Sequence, residues 1–185
     1  MPRVLIPLAN GCEELEAVTL IDLLRRADIT VITVSLTSQL QITASRGVQL
    51  VADTSLDEVL NDEFDLLLLP GGMPGSSHLN DDGRIHTKIK QQLANNKAIG
   101  AICAAPMVLA HAGVLAGKTA TCYPGVLTSE DWPTINLVQQ PVVIDGNILT
   151  SQGPGTAIDF ALAIIEYLTN PATRSTVEAG LIRPS

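Results

Sequence analysis

Short, nearly continuous apolar runs alternate along the chain with longer amphipathic stretches. RVLIPLA (3–9), ITVITVSL (29–36), DLLLLP (65–70) and KAIGAI (97–102) have the length and apolar continuity of strands buried on both faces. EELEAVTLIDLLRRA (13–27) and the segment 81–95 repeat apolar residues at helical spacing, as do GTAIDFALAIIEYLT (155–169) and, more weakly, ATRSTVEAG (172–180). QLQITASRGVQLVAD (39–53) predicts a small hairpin turning at Arg46-Gly47, and PVVIDGNILTSQ (141–152) a second one with Asp145-Gly146 in its turn. A short helix is predicted around 55–61, a loop at PGGMPG (70–75), a helix from Pro106 onward and a strand within GKTATCYP (117–124).

Strands that alternate with helices imply a parallel sheet covered on both sides. The 185 residues carry no repeat or low-complexity linker, so the expected fold is one domain over 1–185, a flavodoxin-like three-layer sandwich. Its mostly parallel central sheet is covered by helices on both faces. In such sheets ligands sit beyond the carboxyl ends of the strands. Three loops fall on that edge: NGCEE, PGGMPG and the turn at Cys103.

Composition narrows the function classes. Apolar residues make up 46% and charged residues 16%, the balance of a globular protein. A net charge of −8 and 3% aromatics oppose a nucleic-acid-binding surface. The apolar runs are too short to span a bilayer, and the N-terminus lacks the apolar core of a signal peptide. Three cysteines without metal-type spacing fit a reducing compartment, so a cytoplasmic location is expected. The sequence shows no metal, nucleotide or flavin site, and no cofactor is expected.

Cys103 stands between the strand ending at Ile102 and the helix from Pro106, among Ala101, Ala104 and Ala105 that keep a sharp bend uncrowded. This is a nucleophile elbow with Cys in place of Ser and without the flanking glycines. Unpaired N–H groups at a helix start favour thiolate, which predicts a depressed Cys103 pKa. The alternative is that Cys103 packs as a small buried hydrophobe. Glu16 shares a helical stripe with Leu20, Leu23 and Ala27, where desolvation raises a carboxyl pKa. Protonated, it can donate to a thiolate. The glycines of PGGMPG let backbone N–H groups approach a small anion, so Gly72 and Ala104 are candidate oxyanion donors beside the thiol. None of His78, His86 and His111 is placed as the partner of a Cys-His hydrolytic dyad, which weighs against peptidase and amidotransferase chemistry.

NGCEELEAV, LPGGMPG, GAICAAP and LTSQGPGTAIDFALAIIE occur in order along nearly the whole chain. Together they resemble the ThiJ/PfpI superfamily, in the branch that holds the parkinsonism-associated protein deglycase DJ-one and YajL. The resemblance implies a homodimer, Cys103 as the reactive thiol, a protonated Glu16 touching it, a donor at Gly72 and a pocket position at the adjoining Gly71. It also implies an Arg46 near the partner's site across the dimer. The implied activity is deglycase or glyoxalase chemistry on methylglyoxal-type aldehydes and glycated side chains. The competing expectation is a redox sensor and chaperone for unfolded clients, with an oxidisable Cys103 and little turnover. Neither nucleic acid nor membrane is expected as a partner.

Two positions depart from the glyoxalase-active members. Tyr123 stands where a histidine precedes the proline, and Gln152 replaces an arginine before GPGT, both as in the YajL branch. A tyrosine hydroxyl is a poor general base at neutral pH, so Tyr123 reads as a pocket wall and glyoxalase turnover is expected to be slow. Cys12 lies on the same sheet edge as Cys103 and is either a buried loop residue or a second, resolving thiol.

Overall fold

A seven-stranded sheet is the centre of the computed structural model, which describes residues 1–183. In chain order its elements begin with β1 (Arg3–Leu8), α1 (Glu14–Arg26), β2 (Thr30–Ser35), β3 (Gln41–Thr43), β4 (Gln49–Val51) and β5 (Thr54–Ser55). There follow a 3₁₀ turn (Asp57–Val59), β6 (Leu66–Leu69), α2 (Gly75–Asp81), α3 (Gly83–Ala94), β7 (Ala98–Ile102) and α4 (Pro106–His111). The last part holds β8 (Thr119–Ala120), β9 (Asn136–Leu137), β10 (Val142–Asp145), β11 (Ile148–Ser151), α5 (Ala157–Leu168) and α6 (Pro171–Gly180). The order across the sheet is β10-β11-β7-β6-β1-β2-β5, parallel throughout except for the β10–β11 hairpin.

The apolar continuity of the strands has a direct cause. Leu66 and Leu68 face a cluster with α1 and α5, while Leu67 and Leu69 face a second cluster with α3 and α4. All four are fully buried, so both faces of β6 demand apolar side chains. Gly100 is the one residue of β7 without a side chain, and a Cβ there would lie 2.7 Å from Leu68 Cδ1 and 3.5 Å from Phe160 of α5. Its absence lets α5 press onto the sheet.

The expected α/β sandwich is present, with three differences of detail. PGGMPG, expected to be a loop, runs at Gly75 into α2, a seven-residue helix over a stretch for which no element was expected. Asp82 then separates α2 from α3 and caps the latter by accepting from the Arg84 N–H at 2.9 Å. Only Thr119 and Ala120 of 117–124 are strand, paired in parallel with β9 outside the main sheet. β5 is a two-residue strand on the sheet edge, which lateral pairing with Val34 and Ser35 defines rather than any local pattern. The domain expectation for residues 184 and 185 lies outside the described residues.

Candidate active site

The carboxyl ends of β1, β6, β7 and β11 bring four loops together. Cys103 follows β7 directly, with φ of +63°, a left-handed conformation that disfavours any residue with a Cβ. Its backbone holds it there. The Cys103 N–H donates to Ser151 O at 3.0 Å, and its carbonyl accepts from the Tyr123 N–H at 2.8 Å. The thiol thus stands where two neighbouring segments, not the chain's own preference, fix the turn.

The PGGMPG loop is packed against the β1–α1 loop too closely for larger residues. Gly72 has φ of +90°, and a Cβ on it would lie 2.4 Å from Glu13 N and 2.8 Å from the Cys12 carbonyl carbon. A Cβ on Gly71 would lie 2.6 Å from Cys103 Cβ and 2.7 Å from Glu16 Oε2. In turn Glu13 N–H donates to Gly71 O at 2.9 Å, which locks the start of α1 to this loop. Ser45 completes the frame, its hydroxyl donating to Glu13 at 2.8 Å and Glu14 at 2.9 Å.

Glu16 lies in the first turn of α1 and is fully buried. The Gly71 N–H donates to its Oε2 at 2.9 Å, the Cys103 thiol lies beside the carboxyl, and Oε1 has no hydrogen-bond partner among the described residues. Burial pushes the Glu16 carboxyl up to about 7, opposed by the bonds from Cys103 and Gly71. Glu16 therefore keeps its proton to a much higher pH than an ordinary carboxyl.

The expectation of a depressed Cys103 pKa is corrected here. Burial, then the negative charge of Glu16 and the hydrogen bond to it, push the thiol up to about 12, against the Gly72 and Ala104 N–H groups that favour thiolate. A helix start alone does not determine a thiol that is buried beside a carboxylate. Burial raises both groups and the Glu16 charge raises the thiol further, so the pair holds at most one negative charge around neutral pH. The N–H groups of Gly72 and Ala104 face the sulfur and favour its thiolate form.

The remaining candidates are more scattered. Tyr123 is half exposed, and a Cβ placed on Gly153 would lie 3.3 Å from its ring and 4.0 Å from Cys103 Sγ. Gly153 thus borders the thiol, and the Tyr123 ring borders Gly153. The Arg46 N–H donates to Glu14 at 2.9 Å, and its exposed side chain has no hydrogen-bond or ionic partner among the described residues. Cys12 is fully buried, with burial and then the charge of Glu14 pushing its thiol up to about 12. Full burial favours a packing role for Cys12 over a resolving one. His78 bonds Asn10 O, His86 bonds Asn80 O and His111 bonds Asn80 Oδ1 at 2.8 to 3.0 Å, so each ring has a partner remote from Cys103 in sequence. No group of three or more His, Cys, Asp or Glu side chains among the described residues is arranged for a metal.

Gly153 was not singled out in the sequence. The signal was available, because GPG follows β11, whose carboxyl end lies beside that of β7.

The sequence profile of the DJ-1/PfpI family matches residues 2–167. The chain belongs to the DJ-1/PfpI family. "Protein DJ-1 homolog B" of Arabidopsis thaliana is 43% identical over 169 residues, covering 89% of this chain, which itself spans only 37% of that longer relative. A crystal structure of Drosophila melanogaster DJ-1beta superposes with a TM-score of 0.94 at 39% identity, covering 100% of this chain and 99% of that one. "Glutathione-independent glyoxalase DJR-1.2" of Caenorhabditis elegans is 34% identical over 168 residues, or 91% of this chain and 88% of the relative. Membership of the DJ-1/PfpI family covers the elbow, the glycine loop and α1 together. No helix among the described residues is long and apolar enough to cross a membrane.

Proposed function

We propose that the protein is a cysteine-dependent deglycase with weak glyoxalase activity, acting on methylglyoxal-type aldehydes and their adducts. The observation that carries this reading is Glu16, a fully buried carboxyl beside the Cys103 thiol and raised to about 7. A carboxylate with a pKa near the working pH is suited to general base catalysis, and a fixed base beside a thiol is the arrangement that activates one. Glu16 accepts the Cys103 proton as Sγ attacks an aldehyde carbon. Bond formation neutralises the sulfur, and the Gly72 and Ala104 N–H groups then face the developing alkoxide. The C. elegans relative named as a glyoxalase supports the aldehyde class. No cofactor enters this scheme, and the cytoplasm is its proposed location.

A homodimer is part of the same proposal. Leu15 and Val18 on α1 and Val48 and Val51 on the β3–β4 hairpin are between 46% and 72% exposed, an apolar surface around Arg46 that a second copy would cover. Oxidation of Cys103 is the second reading. The donors that face an alkoxide equally suit a sulfinate, so a sensor role with chaperone function uses the same atoms.

Consumption of methylglyoxal and of its N-acetylcysteine hemithioacetal, measured without added glutathione, tests the enzyme reading. Cys103→Ser is expected to lose at least 10²-fold in both assays. Equal rates for the two proteins would leave the sensor reading in possession of Cys103.

Tyr123 bears on the split between the two activities. Isomerising the methylglyoxal adduct to lactate moves a proton between carbons, for which the phenol offers no good base. Tyr123→His is expected to raise lactate formation by at least tenfold and to leave hemithioacetal breakdown within about twofold. Unchanged lactate formation would show that another group moves that proton.

A further inference from the structure

A cleft of about 510 Å³ lies at the end of the sheet opposite Cys103. It opens at the amino ends of β6 and β7, between the loop 60–64 and the C-terminal half of α3. Lys88, Gln91 and Asn95 recur there at intervals of three and four, so one helical face supplies them to the cleft.

Lys88 is the unusual member of this face. It is 4% exposed, and its Nζ donates to Leu60 O at 2.9 Å and to Asp62 O at 2.6 Å. An ammonium has three N–H donors, so one is left over. The Phe64 ring stands 5.4 Å from Nζ, and no carboxylate pairs with it among the described residues. Burial holds the Lys88 pKa below the ordinary lysine value, against the attraction of Asp62 and Glu63. Two carbonyls and a ring compensate a buried cation only in part. A counter-charge is what the cleft lacks.

Other groups around it are uncommitted too. The Glu63 carboxylate and the carboxamides of Asn61, Gln91 and Asn95 have no hydrogen-bond or ionic partner among the described residues. By contrast, Asp62 is taken by Arg3 at 3.0 Å and Lys97 by Asp65 at 2.8 Å. What remains is one cation, one anion and three carboxamides. A simple anion would gain from Lys88 and be repelled by Glu63, and a simple cation would meet the reverse. A zwitterion satisfies both.

We infer that this cleft binds a free α-amino acid, with its carboxylate on Lys88, its ammonium on Glu63 and a polar side chain among the carboxamides. The site is independent of the chemistry proposed at Cys103.

Isothermal titration calorimetry with L-glutamine tests the inference. Saturable binding is expected, weakened about tenfold or more in Lys88→Met by loss of a charged hydrogen bond. Glu63→Gln, at an exposed position, is expected to weaken it about threefold or more. Acetate and glycinamide each carry one of the two charges, and each is expected to bind about tenfold more weakly than L-glutamine. Amide ¹H–¹⁵N spectra are expected to shift at 60–64 and 88–97 and to stay unchanged at 71–72 and 103–104. If Lys88→Met does not fold, Glu63→Gln and the two half-ligands decide the matter. No saturable binding at tens of millimolar, equal affinity in Glu63→Gln, or acetate binding as tightly as L-glutamine each overturns the inference.

Discussion

Alkylation of Cys103 by iodoacetamide is expected to rise with pH through an inflection near 7 and then level off, although burial pushes the thiol itself up to about 12. The inflection belongs to Glu16. Once the pair loses its first proton, the remaining one is shared between Sγ and the carboxylate, and the thiolate share no longer depends on pH. In Glu16→Gln that first ionisation is gone. Its alkylation rate is expected to keep climbing about tenfold per pH unit through pH 8, with the inflection at or above the ordinary thiol value of about 8.5. Identical profiles for the two proteins would remove Glu16 from the thiol's titration.

The same ionisation has a stability signature. The Glu16 carboxyl is raised to about 7 in the folded protein from 4.5, so the folded state binds more protons between those values. Stability then falls as pH rises from about 4.5 to 7 and is level above, by a total of about 3 kcal/mol for a shift of this size. Glutamine retains an acceptor for the Gly71 N–H and cannot ionise. Urea titrations are expected to show this decline in the wild type and not in Glu16→Gln, which becomes the more stable protein at pH 8. A wild type of constant stability across that range would contradict the raised carboxyl.

Gly71→Ala carries the second large effect. The added methyl meets Cys103 Cβ at 2.6 Å, Glu16 Oε2 at 2.7 Å and Ile102 O at 2.7 Å, and two of these three atoms belong to the reactive pair. Overpacking of this kind costs about 1–3 kcal/mol, and displacing Oε2 from the Gly71 N–H leaves a buried polar group unpaired at a similar cost. A loss of about 3 kcal/mol is expected by chemical denaturation, together with loss of the alkylation inflection near pH 7. Gly83→Ala is the control, since a Cβ there meets nothing within 4 Å and the position opens α3. Comparable damage from both substitutions would show that the Gly71 site has more room than its contacts allow.

The fold was legible because burial on both faces forces apolar strands, and helices at period 3.6 separate them. Glu16 was legible for a related reason, as a carboxylate on the stripe of Leu20 and Leu23 has no exposed place to go. The pKa of Cys103 was not. The chain shows a helix start, whereas the direction is set by desolvation and by Glu16, whose approach through the Gly71 loop is a tertiary fact. α2 escaped notice because Gly75, Ser76 and Ser77 are poor helix formers, and the helix is packed against α4 and α3 instead. β5, β8 and β9 are two residues each, and pairing with a distant partner defines them more than any local periodicity. Tyr123 and Gly153 are thirty positions apart, so their contact has no local signature.

The sheet also divides the molecule's freedom to change. Leu67 and Leu68 are neighbours in the chain yet belong to different apolar clusters, whereas Leu68 and Phe160 share one. Substitutions in one layer can therefore accumulate and be compensated there with little consequence for the other. The partition ends where Ile102 and Cys103 lie in one cluster and Ala105, two residues on, lies in the other. Those few residues are answerable to both layers at once, so drift on either side of the sheet converges on the reactive thiol.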